Sequence, residues 1–262
     1  MSAAPVTPNR ELGQHFLVDE NILGVIGRLA ALAPEDVVLE VGAGLGALTL
    51  YLAPRVRAVH AIEIDRSLEP HLRAALAPFP NAYLQIGDAL ALPLTDLDPP
   101  PGKLVANLPY SIATPLCVES LDGLPTVRRW CVMLQREVAD RFVAAPQTAA
   151  YGAVSVLVQL TAARVGMHPV ARTCFRPPPN VDSALLAFER TRDWGPEYPW
   201  LKRVVQGAFA HRRKTLANSL ALAGVTTRAR VTEVLRALGC RDAVRADALE
   251  PGQFVELASS LR

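Results

Sequence analysis

A buried strand that runs directly into a glycine-rich turn constrains this chain more than any other feature. Residues 37–41, Val-Val-Leu-Glu-Val, form an apolar run typical of a strand, and Gly42-Ala43-Gly44-Leu45-Gly46 precedes a helical pattern. This arrangement brings bare backbone close to a ligand at the N-terminus of a helix. Gly42, Gly44 and Ala47 nearly satisfy the spacing of the dinucleotide-binding fingerprint. The segment therefore predicts an α/β domain that holds a nucleotide-type cofactor.

Two further strands are predicted to end in carboxylates. The predicted strand 58–62 leads to Glu63, and the predicted strand 83–86 leads to Gly87-Asp88-Ala89. Because the carboxyl ends of parallel strands meet at one edge of a sheet, we expect these groups beside the glycine turn. Glu63 can accept both hydroxyls of a ribose, and Asp88 can accept from the exocyclic amine of an adenine. With the glycine turn and Glu63 alone, NAD and S-adenosylmethionine fit equally well.

The fourth strand end separates these two cofactors. The run Leu104-Val105-Ala106 leads to Asn107-Leu108-Pro109-Tyr110. The exocyclic amine of a nucleobase is a poor nucleophile, and the Asn107 oxygen with a main-chain carbonyl can accept both of its hydrogens and free its lone pair. Pro109 fixes the backbone, and Tyr110 can stack on the base. An ordinary strand-to-helix turn explains the tetrad alone equally well. The four strand ends together favour methyl transfer to a base amine.

The sequence after about residue 192 predicts a basic, helical appendage. The length of 262 residues fits one large domain, or one domain with a smaller appendage, and half of the residues are apolar, enough for a sizeable core. A boundary is predicted at residues 192–199, and four short helices follow it. Residues 1–100 have a net charge of −6, whereas residues 195–262 have +5. This asymmetry indicates an anionic partner, although a solvated helical surface explains the charge alone at least as well. His211-Arg212-Arg213-Lys214 can contact phosphates.

Three segments carry weaker indications. Residues 9–17 predict an arm that folds across a site, in which His15 is either a ligand contact or structural. Residues 165–170 and 183–188 alternate and can pair as a hairpin. Phe175, just before a run of prolines, is either the second face of a base-stacking clamp or a loop anchor. Residues 154–163 are apolar enough for a helix or a strand.

Several classes of protein are disfavoured. The four cysteines are widely spaced, which predicts reduced, buried thiols and neither a disulfide framework nor a zinc site. Residues 1–9 lack the features of a secretory signal, and no apolar run is long enough to span a membrane. A cytoplasmic location is therefore the default expectation.

The motifs run nearly from end to end, and together they resemble the rRNA adenine N6-dimethyltransferases, most closely the bacterial small-subunit (16S) type. The resemblance is carried by Gly13-Gln14-His15-Phe16-Leu17, Glu40-Val41-Gly42-Ala43-Gly44-Leu45-Gly46, Glu63, Asp88, Asn107-Leu108-Pro109-Tyr110, Phe175-x-Pro177-Pro178-Pro179-x-Val181-Asp182-Ser183, Ala208-Phe209, Arg212-Arg213-Lys214-Thr215-Leu216 and Asn218-Ser219-Leu220. The last groups favour the small-subunit type over methylases of large-subunit rRNA.

The resemblance implies a Rossmann-like, seven-stranded methyltransferase sheet in residues 1–192 and a small helical, RNA-binding domain in residues 193–262. It implies S-adenosylmethionine as cofactor, held by residues drawn from Gln14, His15, Leu17, Gly42, Gly44, Glu63, Asp88, Ala89 and Asn107. The catalytic residues are expected to be Asn107, Leu108, Pro109, Tyr110 and Phe175. RNA contacts are expected from Arg212, Arg213 and Lys214.

The implied substrate is two adjacent adenosines in a hairpin near the 3′ end of small-subunit rRNA, each dimethylated at N6 within the immature subunit. A monomer without a metal is expected. Two alternatives remain open: an assembly factor that acts mainly by binding the immature small subunit, and an adenine methylase of large-subunit rRNA.

Overall fold

A seven-stranded sheet forms the frame of the computed structural model, which describes residues 8–9 and 12–262. The segment judged not to be a secretory signal lies almost entirely outside the described residues, as do two residues of the arm. The strands of this sheet and of a second, two-stranded sheet are β1 (Phe16–Leu17), β2 (Val37–Val41), β3 (Ala58–Glu63), β4 (Ala82–Ile86), β5 (Lys103–Asn107), β6 (Arg129–Gln135), β7 (Ala162–Val170), β8 (Phe175–Arg176) and β9 (Ser183–Arg190).

The order of the strands in the large sheet is β4-β3-β2-β5-β6-β9-β7. Strands β2 to β6 pair in parallel, and β9 pairs antiparallel with β6. The chain runs outward from β2 to β4 on one side and returns to β5 on the other. Ligands in open α/β sheets bind in the crevice where the strand order reverses in this way. The predicted Rossmann-like sheet is confirmed, and its crevice lies at the ends of β2 and β5.

Helices alternate with these strands and continue after the sheet. Their bounds are α1 (Glu20–Leu29), α2 (Ala47–Leu52), α3 (Glu69–Leu76), α4 (Ala113–Gly123), α5 (Arg136–Phe142), α6 (Ala153–Thr161), α7 (Tyr198–Phe209), α8 (Leu216–Leu222), α9 (Arg228–Ala237) and α10 (Pro251–Ser260). Asp19 caps α1 by accepting from the backbone N–H of Asn21 at 2.8 Å.

The segment from 153 to 190 resolves two open interpretations. The apolar run forms the helix α6 and then passes directly into β7 at Ala162. Strands β7 and β9 are neighbours in the sheet, as the alternating patterns predict. They are separated along the chain by β8, which pairs with β1 in a small sheet of two strands. The short β8 therefore attaches the N-terminal arm to the proline-rich loop.

The chain divides into two compact units. The first comprises residues 1–139 and 164–190, and the second comprises residues 140–163 and 191–262. The predicted boundary at residue 192 lies next to the second crossing. The sequence places residues 140–163 in the first domain, whereas α6 and the loop before it group with the second unit. From the sequence, the second unit carries 13 basic and 8 acidic residues, a net charge of +5.

The second unit has its own apolar core. Tyr151, Leu201, Leu235 and Phe254 are buried in it, and the Tyr151 hydroxyl donates to the carbonyl of Leu249 at 2.9 Å. Within the described part of the chain, no helix is long and apolar enough to cross a membrane. All four cysteines are free; three are buried and Cys240 is partly exposed.

Candidate active site

One cavity collects the ends of the central strands. Its wall includes nearly every residue that the sequence assigns to the cofactor or the target base, namely Gln14, His15, Leu17, Gly42, Gly44, Glu63, Asp88, Ala89, Asn107, Leu108, Pro109 and Tyr110. These residues come from four strand ends and the N-terminal arm, so their spacing along the chain exceeds 90 residues. The tertiary fold therefore assembles the predicted constellation in one place.

The glycine turn lies directly against the Asn-Leu-Pro-Tyr segment. Gly42 has a φ of +80°, and a Cβ at this position would lie 2.9 Å from Cδ of Pro109. Gly44 has a φ of +59°, and a Cβ there would lie 3.1 Å from the ring of Phe16. Both the backbone conformation and the close approach require glycine. Bare backbone consequently forms the floor of the cavity between the two motifs.

Glu63 links the end of β3 to the glycine turn. One carboxylate oxygen accepts from the Gly44 N–H at 2.8 Å, and the other accepts from the Asp65 N–H at 2.9 Å. The residue is buried, with 5 % of its surface exposed. Each carboxylate oxygen can accept a second hydrogen bond. The bonds to backbone thus fix the orientation of Glu63 and leave it capacity to accept from a ligand.

The N-terminal arm crosses the cavity and is attached at several points. Gln14 donates through Nε2 to Asp65 at 2.7 Å, and Nδ1 of His15 lies 2.8 Å from the carbonyl oxygen of Pro177. Strand β1 pairs with β8, and Phe16 packs over Gly44. The contact with Pro177 gives His15 a structural role, and the residue also lines the cavity.

Asn107 is oriented by the same arm. Its Nδ2 donates to the main-chain carbonyl of His15 at 3.3 Å. Since the amide nitrogen is engaged there, the Oδ1 atom is the one left to accept. Tyr110 is fixed in turn by a 2.7 Å hydrogen bond between its hydroxyl and Oγ of the buried Ser183. Burial raises the pKa of the Tyr110 hydroxyl, with the bond to Ser183 acting in the opposite direction.

Phe175 does not reach the cavity. Its ring is 2 % exposed and packs in the apolar core with Leu17, Ile22 and Ile26. The predicted clamp therefore lacks this second face, because pairing of β8 with β1 turns the ring inward. Of the two readings left open by the sequence, the anchoring role matches the structure.

The cavity wall includes Ile64 and Glu40, which were not assigned to the site from the sequence. Ile64, directly after Glu63, is 48 % exposed and presents an apolar surface. Glu40 in β2 is 1 % exposed, and its Oε2 atom forms no hydrogen bond. Burial, reinforced by the charge of Glu63, raises the pKa of Glu40 to about 8. The signal for Glu40 was visible, since a carboxylate inside an otherwise apolar strand is unusual.

The predicted RNA contacts lie in the second unit, between α7 and α8. Arg212, Arg213 and Lys214 are all exposed. The guanidinium group of Arg212 donates to the carbonyls of Ala149 and Tyr151, at 2.8 and 2.9 Å. Arg212 therefore holds the loop before α6, while Arg213 and Lys214 extend the positive surface beside it.

The charge of the cavity agrees with a cationic cofactor. Two carboxylates line it, from Glu63 and Asp88, together with the carboxyl group of Glu40, and the lining residues, all in the described part of the chain, include neither lysine nor arginine. S-adenosylmethionine carries a sulfonium and an ammonium group, and the glycine turn offers backbone that approaches a ligand closely. The residues present fit this cofactor. The fold and the cavity define an S-adenosylmethionine-dependent methyltransferase.

Comparisons with known proteins specify the family. The sequence model described as ribosomal RNA adenine dimethylase matches residues 6–262. A protein from Rubrobacter xylanophilus named ribosomal RNA small subunit methyltransferase A is 42 % identical over 98 % of this chain and 96 % of its own length. A protein of the same name from Lactococcus lactis is 38 % identical over 96 % and 89 %.

Solved structures agree on the fold. The 23S rRNA methyltransferase ErmE is 28 % identical, with a TM-score of 0.66 over 94 % of this chain and 99 % of that one. A dimethyladenosine transferase from Plasmodium falciparum is 24 % identical, with a TM-score of 0.75 over 93 % and 96 %. The chain belongs to the ribosomal RNA adenine dimethylase family. It is an enzyme that uses S-adenosylmethionine to dimethylate adenine in ribosomal RNA.

Proposed function

We propose that this enzyme dimethylates N6 of two adjacent adenosines in a hairpin near the 3′ end of small-subunit (16S) rRNA. The observation that carries the choice of subunit is the similarity, over nearly the full length, to proteins named small subunit methyltransferase A. The structure supports the reaction itself through the cavity at the ends of β2 and β5. Its oriented amide, stacking ring and acidic wall suit transfer of a methyl group to an aromatic amine.

The cofactor is held, in this proposal, by the arm and the strand ends. Glu63 accepts from the ribose hydroxyls, Asp88 accepts from the adenine amine, and Ile64 packs on the adenine ring. The backbone of Gly42 and Gly44 forms the floor. The remaining cofactor contacts come from Gln14, His15, Leu17, Ala89 and Asn107. When bound, S-adenosylmethionine supplies an electrophilic methyl group on a positively charged sulfur.

The target adenine is held by the segment after β5. Oδ1 of Asn107 accepts one hydrogen of the amine, and a neighbouring main-chain carbonyl, fixed by Pro109, accepts the other. Tyr110 stacks on the base with its hydroxyl anchored by Ser183. Buried Leu108 fixes the segment in the sheet. Alignment of the amine in a cavity closed by the arm contributes most of the rate, and the proton leaves to water after transfer.

RNA binding is assigned to the second unit. Its net charge of +5 and the exposed Arg213 and Lys214 favour contact with phosphates. Arg212 contributes mainly by holding the loop that precedes α6. The enzyme is proposed to act as a monomer on the immature small subunit in the cytoplasm.

The decisive experiment measures methyl transfer from labelled S-adenosylmethionine to small ribosomal subunits that lack the modification. Large subunits and DNA serve as controls, and mass spectrometry of digested RNA locates the product. We expect dimethyladenosine at two adjacent positions of small-subunit rRNA alone. Label in large-subunit RNA would retain the chemistry and overturn the choice of partner. Subunit binding without any transfer would instead favour an assembly factor.

A further inference from the structure

A groove between α1 and the end of α2 carries positive charge that the proposed function does not use. Its wall includes the exposed Arg28 and Arg55, and no carboxylate is among its lining residues, all of which lie in the described part of the chain. Glu35 is exposed and lies outside the groove wall, and Asp36 forms an ion pair with Lys103 at 2.6 Å. The groove is therefore a local positive area on a unit whose net charge is −3.

The guanidinium group of Arg55 is held in one orientation. Its Nη1 donates to the carbonyl of Tyr51 at 2.7 Å, and its Cζ lies 3.9 Å from the centroid of the Tyr51 ring. A guanidinium group has five N–H donors, so this bond leaves most of them available. Stacking on an aromatic ring fixes the plane of the group. Arg55 is thus prepared for the bidentate contact that guanidinium groups make with phosphate.

Two glycines of α1 shape the other side of the groove. A Cβ at Gly27 would overlap the Tyr51 hydroxyl, so the Tyr51 ring lies directly against the helix backbone. A Cβ at Gly24 would lie 3.7 Å from Nη1 of Arg28, so this guanidinium group folds back along α1 by one turn. The absence of side chains at these glycines therefore makes room for the ring that carries Arg55 and brings Arg28 to the same groove.

The groove lies at the edge of the sheet opposite the cavity. Arg55 lies shortly before β3 begins at Ala58, and Arg28 lies in the last turn of α1, ahead of β2. The cavity is at the other ends of these two strands, where Gly42 and Glu63 lie. Strands of five and six residues are about 17–20 Å long. The groove is therefore separate from the proposed cofactor site.

We propose that this groove binds the phosphate backbone of small-subunit rRNA outside the target hairpin, with Arg28 and Arg55 contacting phosphate oxygens. Charge complementarity favours this occupant, since the groove offers two guanidinium groups and no carboxylate. The distance from the cavity also fits, because the target hairpin is continuous with RNA that extends well past it. The inference rests on the proposed function, which supplies the RNA, and it adds a contact on the first unit to those assigned to the second.

Binding of small ribosomal subunits by the Arg28→Ala/Arg55→Ala variant tests the proposal. We expect the dissociation constant to rise about tenfold, and the slope of log affinity against log salt to fall by about 1 per lost phosphate contact. The KM for small subunits should rise in parallel, whereas kcat and the affinity for S-adenosylhomocysteine should stay at wild-type values. The control Arg73→Ala/Arg129→Ala removes the same charge from residues paired with Glu69 and Glu189, outside the groove. It should bind subunits nearly as wild type does.

A second variant tests the geometry without changing the charge. Gly27→Ala should displace the Tyr51 ring and with it Arg55, which should weaken subunit binding about two- to fivefold. Gly123→Ala in α4 is the control, since a Cβ there meets nothing within 4 Å. Urea unfolding of both variants shows that they are folded.

Crosslinking identifies what occupies the groove. Pro54 is exposed and lines it, so a benzophenone amino acid placed there reports the neighbouring molecule. Irradiation of the complex with small subunits should join the enzyme to rRNA at nucleotides outside the target hairpin.

Three results would overturn the inference. They are an equal loss of affinity in the two double variants, wild-type affinity in Gly27→Ala, and crosslinks to a ribosomal protein alone. Each of them leaves the proposed methyltransferase reaction intact. Absence of methyl transfer from the wild-type enzyme to small subunits would instead reject the proposed function on which the inference rests.

Discussion

Two polar side chains at neighbouring strand ends, the half-buried Asn107 and the buried Glu40, are stabilised in different ways. The amide of Asn107 is fixed by its donation to the His15 carbonyl, so its oxygen is held in one orientation and is free to accept a hydrogen bond. The carboxyl group of Glu40 has no such partner on Oε2 and is kept neutral by burial. At the scale of single residues, the site thus contains one preorganised acceptor and one carboxyl group that burial keeps neutral.

Removing the amide of Asn107 should lower turnover far more than it lowers cofactor binding. We expect Asn107→Ala to reduce kcat at least about 100-fold, the scale of losing one preorganised polar group. Binding of S-adenosylhomocysteine should remain measurable by calorimetry. Asn81→Ala is the matched control, because the Asn81 amide donates to the carbonyls of Ala53 and Val56 instead. Full activity of Asn107→Ala would reject the assigned role.

The raised pKa of Glu40 predicts a dependence of stability on pH. The unfolded chain releases this proton above a pKa of 4.5, whereas the folded protein retains it up to about 8. Stability that is present below pH 4.5 is therefore lost as the pH rises to about 8. Over this range the free energy of unfolding should fall by up to about 5 kcal/mol more than in Glu40→Gln.

Urea unfolding at a series of pH values, without ligand, measures this difference. Glu69→Gln serves as the control, since Glu69 is on the surface of α3 in an ion pair with Arg73. That change should leave the pH profile close to that of the wild-type protein. Parallel profiles for wild type and Glu40→Gln would show that the carboxyl is already ionised in the folded state.

At the scale of elements, the site depends on contact between the glycine turn and the segment after β5. Gly42 is the point of contact, because nothing larger than hydrogen fits between its Cα and the ring of Pro109. The parallel pairing of β2 with β5 brings the two segments side by side. The glycine turn and the segment after β5, to which the proposed function assigns the cofactor and the target base, are therefore positioned by the same packing.

Gly42→Ala should weaken both cofactor binding and turnover. The positive φ and the 2.9 Å approach to Pro109 should cost about 1–3 kcal/mol of stability and displace the Pro109 ring. We expect cofactor affinity and kcat each to fall at least about tenfold, as measured by calorimetry and methyl transfer. Gly102→Ala is the control, since a Cβ at Gly102 meets nothing within 4 Å. Equal behaviour of the two variants would contradict the packing argument.

At the scale of the whole molecule, charge is divided between the two units. The first unit is acidic, with a net charge of −3, and contains the cavity; the second has +5 and contains the basic cluster. In the proposed function, the cationic cofactor and the anionic RNA each bind to a unit of opposite charge. Some basic residues of the second unit, such as Arg236, are paired with a carboxylate, here that of Asp242. The net charge of the unit is positive because basic residues outnumber acidic ones, and this excess favours contact with phosphates.

The double variant Arg213→Ala/Lys214→Ala should bind small-subunit RNA more weakly. Loss of two phosphate contacts should lower the slope of log affinity against log salt by about 1 per contact. Cofactor binding should not change. The control Arg230→Ala/Arg236→Ala removes the same charge from side chains that are paired with Glu233 and Asp242. An equal loss of affinity in both double variants would indicate a general charge effect.

Much of the cavity was predictable because its residues lie at the ends of strands, and each of these strands can be recognised from its own sequence pattern. Glu63, Asp88 and Asn107 each follow an apolar run, and parallel pairing must bring such ends together. Other features were not predictable. Residues 153–170 change from helix to strand at Ala162 without a turn residue, and Phe175 faces the core only because β8 pairs with β1. The periodicity of apolar residues indicates which side chains are buried, but it does not indicate which segment of the chain packs against them.

The sequence by itself determined the class of fold, the identity of the strand-end groups and their resemblance to the rRNA adenine dimethylases. These properties depend on local patterns and on residue chemistry. Only the tertiary structure decided that residues 140–163 join the second unit, that His15 orients Asn107, and that Oε2 of Glu40 forms no hydrogen bond. These depend on contacts between segments far apart in the chain, and a hydrogen bond or its absence exists only once both sides are in place.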